Sequence, residues 1–192
     1  MKSFTIIAGP IGSGKSSLLG VLRALRDDLG VILCESSPRV YGCLTSCIND
    51  CLEIGDSFTV ELPFFNEETE RILIEAKTRG YFIRLYYVGL EHSEEGLRRV
   101  QIRDGIQRCG STKSDAMLSF FVPWEMLFLY CDEVFLFDNE NGFLEVAEFH
   151  NGIIKAVDHG SKLPLWILEL LHHPLFWDKR KKTHKNSGCN DQ

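Results

Sequence analysis

Apolar and polar positions alternate along the chain in two registers. Short apolar runs rich in β-branched and aromatic residues fall at 3–8, 31–34, 57–61, 81–88 and 133–137. Each is short and apolar enough for a strand buried on both faces. Between them lie stretches of helical character at 15–28, 40–52, 66–79, 92–108 and 113–130. Asn66 followed by two glutamates marks a helix start: the amide caps and the acids favour the positive end of the helix dipole. Ser93-Glu-Glu repeats the signal, and Gly80 stands where the third helix should stop. Strand and helix in alternation predict an α/β domain, a mainly parallel central sheet with helices on both faces. Its crevice should open at the carboxyl ends of the strands.

The last third departs from that rhythm. Two alternating runs, 143–150 and 153–157, flank Asn151-Gly152, a dipeptide that favours a tight hairpin turn. A small antiparallel appendage and a short terminal helix over 164–171 are expected. The folded domain should span 1–176. The basic and polar tail 177–192 is expected to be disordered, and its Lys/Arg cluster is read as a solvated terminus.

Composition narrows the class. At 192 residues, with 44% hydrophobic and 25% charged positions, the chain has the make-up of one globular domain. A net charge of −6 argues against a general nucleic-acid or membrane-surface binder. No apolar run approaches the ~20 residues of a membrane span, and the first apolar run is too short for a signal peptide, so a cytoplasmic location is expected. The seven cysteines form no metal-type spacing. Cys43, Cys47 and Cys51 would share one helical stripe and are read as small packing residues.

The segment that carries chemistry is Gly9-Pro10-Ile11-Gly12-Ser13-Gly14-Lys15-Ser16, with Ser17 next. It matches the phosphate-loop pattern G-x-x-x-x-G-K-[ST], and it sits between a strand and a helix as that pattern requires. Glycines let the backbone N–H groups converge on a polyphosphate at the helix N-terminus. Lys15 is expected to reach the β- and γ-phosphates of ATP, and Ser16 to ligate Mg²⁺. The guanine-specific Asn-Lys-x-Asp sequence does not occur, which lowers the GTPase reading. The size fits a small-molecule kinase.

A kinase needs an acceptor-activating carboxylate and mobile arginines. Glu35 and Glu61 fall where the second and third strands should end. The first is placed to take an acceptor proton, the second to hold an Mg²⁺-bound water or a substrate hydroxyl. Arg98, Arg99, Arg103 and Arg108 cluster on one predicted helix. Arg99 and Arg103, four residues apart, share a face and can clamp phosphates, while Glu94 and Glu95 can pair with Arg98 and Arg99. Asp138-Asn139 closes the fifth strand, in a loop that often lies near a nucleotide base.

Several of these pieces resemble the zeta toxin family of P-loop kinases. Ala8-Gly-Pro-Ile-Gly-Ser-Gly-Lys-Ser16 is close to its "AGPNGSGKST". Ser57-Phe-Thr-Val-Glu61 is similar to "SF-x-x-ET", Arg99-Val100 with Arg103 to "RV-x-x-R", and Phe137-Asp-Asn139 to "yDN". The Gly80-Tyr81 strand and Leu163–Leu168 also resemble family segments, so the likeness runs over about residues 1–170. The resemblance implies transfer of the ATP γ-phosphate to a hydroxyl, which in toxin members belongs to the sugar of UDP-N-acetylglucosamine, and it implies a possible antitoxin protein as partner. It gives Glu35 the position of the family's aspartate base, Glu61 and Arg108 substrate contacts, Arg99 and Arg103 the phosphates, and Asp138 and Asn139 the neighbourhood of the nucleotide. The departures fall on the acceptor side. Glu35 stands for an aspartate, Leu62 for a threonine, Cys109-Gly-Ser111 lacks the family's histidine, and an arginine-tyrosine pair near Ser119-Phe-Phe121 is missing. Two other readings stay open: an ATP-binding regulatory or interaction module with a degenerate acceptor site, and a nucleoside or metabolite kinase.

Overall fold

A computed structural model of the chain describes residues 1–33, 41–62, 65–104, 122–157 and 162–172. In chain order the elements are β1 (Ser3–Ala8), α1 (Lys15–Leu25), β2 (Val31–Leu33), α2 (Tyr41–Ile54), β3 (Phe58–Leu62), α3 (Glu67–Thr78), β4 (Phe82–Gly89) and α4 (Ser93–Asp104). They are followed by α5 (Trp124–Tyr130), β5 (Glu133–Asp138), β6 (Leu144–His150), β7 (Ile153–Val157) and α6 (Leu165–Leu171). All the strands expected from the pattern are present. The expected helix at 113–130 is described only from Trp124, and its first part lies outside the described residues, as do Glu35, Arg108 and the tail 177–192.

The strands form one sheet in the order β2-β3-β1-β4-β5-β6-β7. The first five run parallel, and β6 and β7 are antiparallel. The hairpin is therefore an edge of the main sheet and not a separate appendage, because β6 pairs along the whole of β5, from Glu133↔His150 to Asp138↔Leu144. Asn151 and Gly152 take positive φ of 51° and 71°, the backbone a two-residue hairpin turn demands.

Alternation within the strands builds two cores. Phe4, Ile6 and Ala8 of β1, with Ile83, Leu85 and Tyr87 of β4, meet Ile48 and Leu52 of α2, Leu73 and Ala76 of α3, Leu127 of α5 and Ile167 of α6. The opposite face, with Ile7, Tyr86 and Val88, is covered by Leu18, Leu19 and Leu22 of α1. This is a three-layer α/β sandwich. The helix boundaries have local causes. Asn66 accepts from the Thr69 amide at 2.9 Å and donates its own N–H to the Thr69 hydroxyl, a reciprocal cap. At the other end of α3, Gly80 (φ 76°) donates to Lys77 O and Tyr81 donates to Ala76 O, a Schellman closure. Helix α1 ends at Leu25, three residues earlier than the pattern suggested. Arg26 turns extended, and its guanidinium binds Asp28 through two 2.7 Å hydrogen bonds.

The same Asp28 accepts from buried Arg84 at 3.0 Å, and Arg84 donates to Glu133 at 2.7 Å. These charges tie β4, β5 and the end of α1 together at the amino edge of the sheet, away from the crevice. Strand β1 lies centrally between β3 and β4, so the chain leaving its carboxyl end enters the point where the winding reverses.

Candidate active site

The segment leaving β1 is the phosphate loop, and its backbone has the shape the glycines foretold. Gly9, Gly12 and Gly14 take φ of 144°, 76° and 100°, values that disfavour any side chain. The loop is also wedged between neighbours. A Cβ on Gly9 would lie 2.1 Å from Val88 O of β4, and one on Gly12 would lie 2.1 Å from Gly96 O of α4. Gly96 is itself pressed against Ile11 O, where a Cβ would stand at 2.2 Å. Gly96 was not singled out from the sequence. An isolated glycine in a helix carries no signal until the loop it touches is known.

Gly14 caps α1 without any side-chain hydrogen bond to the first turn. The amides opening that helix, Lys15 to Ser17, therefore face the crevice with the positive end of the helix dipole. A second feature points the same way: the Ser13 hydroxyl is buried in the loop with no hydrogen-bond partner. A buried unpaired hydroxyl is costly, and an incoming anion oxygen would relieve it.

Lys15 is 8% exposed, and its ammonium donates to Gly9 O at 2.8 Å and to Pro10 O at 2.9 Å. Burial pulls its pKa from the ordinary 10.5 down to about 8, while the Glu61 carboxylate pulls the other way. The cation thus sits beneath the phosphate place, held by the loop's own carbonyls. Glu61 faces Ile7 across the β1–β3 ladder and accepts from the Ser16 hydroxyl at 3.0 and 3.1 Å. The structure thus brings Glu61 beside Ser16 of the loop. A hydroxyl and a carboxylate side by side are the hard oxygen donors that Mg²⁺ takes when phosphate and water supply its other ligands.

The far wall is built by the turn after β5. The Asn139 amide donates to Ser13 O at 2.7 Å, and its backbone N–H donates to Gly89 O at 3.1 Å. Asn139 thereby clamps the phosphate loop to the sheet. Asp138 is 9% exposed and is engaged elsewhere. One of its oxygens accepts the Trp166 indole at 3.1 Å, and the other accepts the Glu140 N–H at 3.2 Å. Trp166 packs so closely on Gly89 that a Cβ there would lie 2.3 Å from its ring. Sequence reasoning set Asp138 and Asn139 together near the nucleotide. The structure separates their roles, with Asn139 on the loop and Asp138 anchoring α6.

Helix α4 brings the arginines. Gly96, Arg99 and Arg103 are three and seven residues apart, so they share the face that meets Gly12. Arg99 donates to Glu95 at 2.6 Å and to Glu140 O at 2.9 Å. Arg98 forks onto Glu95 at 2.7 and 2.8 Å and turns outward, 60% exposed. These hydrogen bonds hold the Glu95 carboxyl down at about 2. Of the expected pairs, Glu95–Arg99 is present, while Arg98 binds the same Glu95 at i+3 and Arg99 reaches on to Glu140 O. Cys51 is buried and Cys47 half-buried on α2, as packing residues would be.

A phosphate loop at the carboxyl end of β1, with a carboxylate on the neighbouring strand, defines a P-loop α/β fold. No family model matches the chain, and no curated protein matches it in sequence. In structure it is similar to the AvrRxo1-ORF1:AvrRxo1-ORF2 complex, solved both with sulphate ions and with ATP. In both, the identity is 14%, the TM-score 0.58, and the match covers 91% of this chain and 64% of that one. It is also similar to a structure of the PezAT chromosomal toxin–antitoxin system of the human pathogen Streptococcus pneumoniae, with 11% identity, a TM-score of 0.56, and 92% of this chain against 79% of that one. The chain thus spans 64% of the length of the AvrRxo1-ORF1:AvrRxo1-ORF2 chain that it matches. At these identities the likeness is one of fold, and the α/β fold with a mainly parallel central sheet expected from the pattern is the fold observed. Among the described residues, no helix is long and apolar enough to cross a membrane.

Proposed function

We propose that the protein is an ATP-dependent phosphotransferase that moves the γ-phosphate of ATP to a hydroxyl of a small molecule. The observation that carries this reading is the joint geometry of Lys15, Ser16 and Glu61: a buried ammonium under a glycine cradle, next to a hydroxyl–carboxylate pair. The loop amides and the Ser13 hydroxyl receive the phosphates, and Lys15 leaves the carbonyls of Gly9 and Pro10 for the β- and γ-oxygens. Mg²⁺ bound beside Ser16 and Glu61 supplies neutralisation of phosphate charge. Arg99 and Arg103 extend along the α4 face towards the transferred group, where positive charge stabilises the loose transition state. Glu35 takes the acceptor proton, and Arg108 contacts the acceptor. Catalysis is then positioning and electrostatics, with little covalent work for the protein.

The zeta-toxin resemblance favours a UDP-sugar, UDP-N-acetylglucosamine first, as acceptor. Two of the fold neighbours are described as an ORF1:ORF2 complex and as part of a toxin–antitoxin system, which supports a protein partner for this chain as well. ATP as donor suits a cytoplasmic setting. The departures in the acceptor half, above all the absent histidine near Cys109-Gly-Ser111, favour a second reading in which the chain binds ATP and a partner but transfers nothing. Incubation of the pure chain with γ-labelled ATP, Mg²⁺ and a metabolite extract, with mass-spectrometric identification of products, separates the two. A phosphorylated small molecule that disappears with Lys15→Ala supports the transferase. ATP binding with no product in extract or UDP-sugar panel supports the module.

A further inference from the structure

We propose that the exposed ring of Phe143 is the stacking platform for the nucleobase, and that this platform accepts adenine and guanine alike. The inference rests on the triphosphate reading of the loop and deepens it to the choice of donor. Three walls surround the mouth of the loop. On the Gly12 side, the backbone of α4 closes the space at Gly96. On the Ser16 side stands the Glu61 carboxylate, which repels a second anion unless a cation intervenes. The third wall, at Gly14, is formed by the Phe143 ring and the Asn139 amide. A Cβ on Gly14 would lie 2.9 Å from Phe143 Cζ and 2.6 Å from Asn139 Nδ2, so ring and amide rest directly on the first residue of the helix cap. Phe143 is 45% exposed.

Gly142, before Phe143, takes φ 119°. A nucleoside whose phosphates lie on the amides of α1 leaves the cradle past Gly14, and its base then meets the ring face.

Among the described residues of this turn, the polar groups nearest the ring are already engaged. Both Asp138 oxygens are engaged, one by the Trp166 indole and one by the Glu140 amide, and Asn139 Nδ2 donates to Ser13 O. Stacking alone is tolerant, since every base offers a π-face, and it favours the larger purines.

The test measures dissociation constants of the full-length chain for ATP, GTP, CTP and inorganic tripolyphosphate with Mg²⁺, in wild type, Phe143→Ala and Phe143→Trp. Base–aromatic stacking predicts that Phe143→Ala weakens ATP and GTP by about fivefold or more, with tripolyphosphate affinity unchanged. Phe143→Trp should restore ATP affinity and add a fluorescence quench that ATP produces and tripolyphosphate does not. Wild type should hold ATP and GTP within about threefold of each other, as tolerant stacking requires. Equal loss of ATP and tripolyphosphate in Phe143→Ala would overturn the proposal, because the ring would then only shape the loop. So would unchanged ATP affinity, or strong rejection of GTP by wild type. If tripolyphosphate and ATP both fail to bind wild type, the triphosphate reading fails first and the base platform with it. If tripolyphosphate binds and only the ring proves idle, the platform alone is lost.

Discussion

Replacing Lys15 with methionine removes a buried charge while keeping the length of the side chain. Lys15 is 8% exposed, and burial holds its pKa at about 8 against 10.5 in the unfolded chain. A shift of that size corresponds to about 3 kcal/mol of disfavoured charge at neutral pH. The sign follows from proton counting. Between the two pKa values the unfolded chain binds more protons, so wild-type stability rises with pH from about 8 to 10.5. Below pH 8 the whole penalty is present. Methionine has no such dependence, but it leaves Gly9 O without its lysine donor, a loss of about 1–3 kcal/mol. The two effects nearly cancel at pH 7, so Lys15→Met should be as stable as wild type or slightly more stable there. By pH 10 wild type should have gained about 2–3 kcal/mol on the variant. Urea unfolding of both proteins at pH 7, 8, 9 and 10 reads this difference, and nucleotide binding by the variant should be lost throughout. A stability difference independent of pH would refute the argument that the loop stores a strained cation for its ligand.

Other perturbations probe separate parts of the site. Triphosphate binding should raise the Lys15 pKa from about 8, so calorimetry at pH 8 in buffers of different ionisation heat should show proton uptake on ATP binding, vanishing in Lys15→Met. Glu61→Gln keeps the hydrogen bond from Ser16 but removes the charge; phosphate transfer should fall by about 10²–10³-fold, as for loss of one preorganised electrostatic contact, and the Mg²⁺ concentration for half-maximal rate should rise. Gly96→Ala places a Cβ 2.2 Å from Ile11 O, so it should cost about 1–3 kcal/mol of stability as overpacking does and weaken ATP binding, measured by thermal melts with and without nucleotide. The hydrogen bonds from Arg26, with Arg84 behind them, hold the Asp28 carboxyl well below the usual range. Its stabilisation is present above the unfolded carboxylate pKa and is lost as pH falls, so Asp28→Asn should flatten the acid limb of the pH–stability curve.

Much of the frame is written locally. The phosphate loop, the Asn66 cap, the Gly80 stop and the Asn151-Gly152 turn each depend on a few neighbouring residues, and each appears where its own chemistry places it. The alternation of apolar runs was enough to order the layers. What the sequence hid was set by contacts between distant segments. Gly96 looks like any weak helical position until α4 lies on Gly12, and Phe143 reads as the first residue of a hairpin until that hairpin joins β5 and brings the ring to Gly14. Asp138 and Asn139 are neighbours in sequence, yet their side chains serve opposite sides of the turn because successive side chains leave a strand end on different faces. The four arginines were legible as a cluster, but the division of Arg98 outward and Arg99 onto the loop rim follows only from where Glu95 and Glu140 stand.

The claim on which everything else rests is that residues 9–17 hold a nucleoside triphosphate. Titration calorimetry of the full-length chain with ATP and Mg²⁺, run beside Lys15→Ala, addresses it most directly. Wild type should give a single-site binding isotherm, and the variant a large loss of affinity. A wild-type chain that is folded by circular dichroism and gives no binding heat or melting shift with ATP, GTP or tripolyphosphate would contradict it.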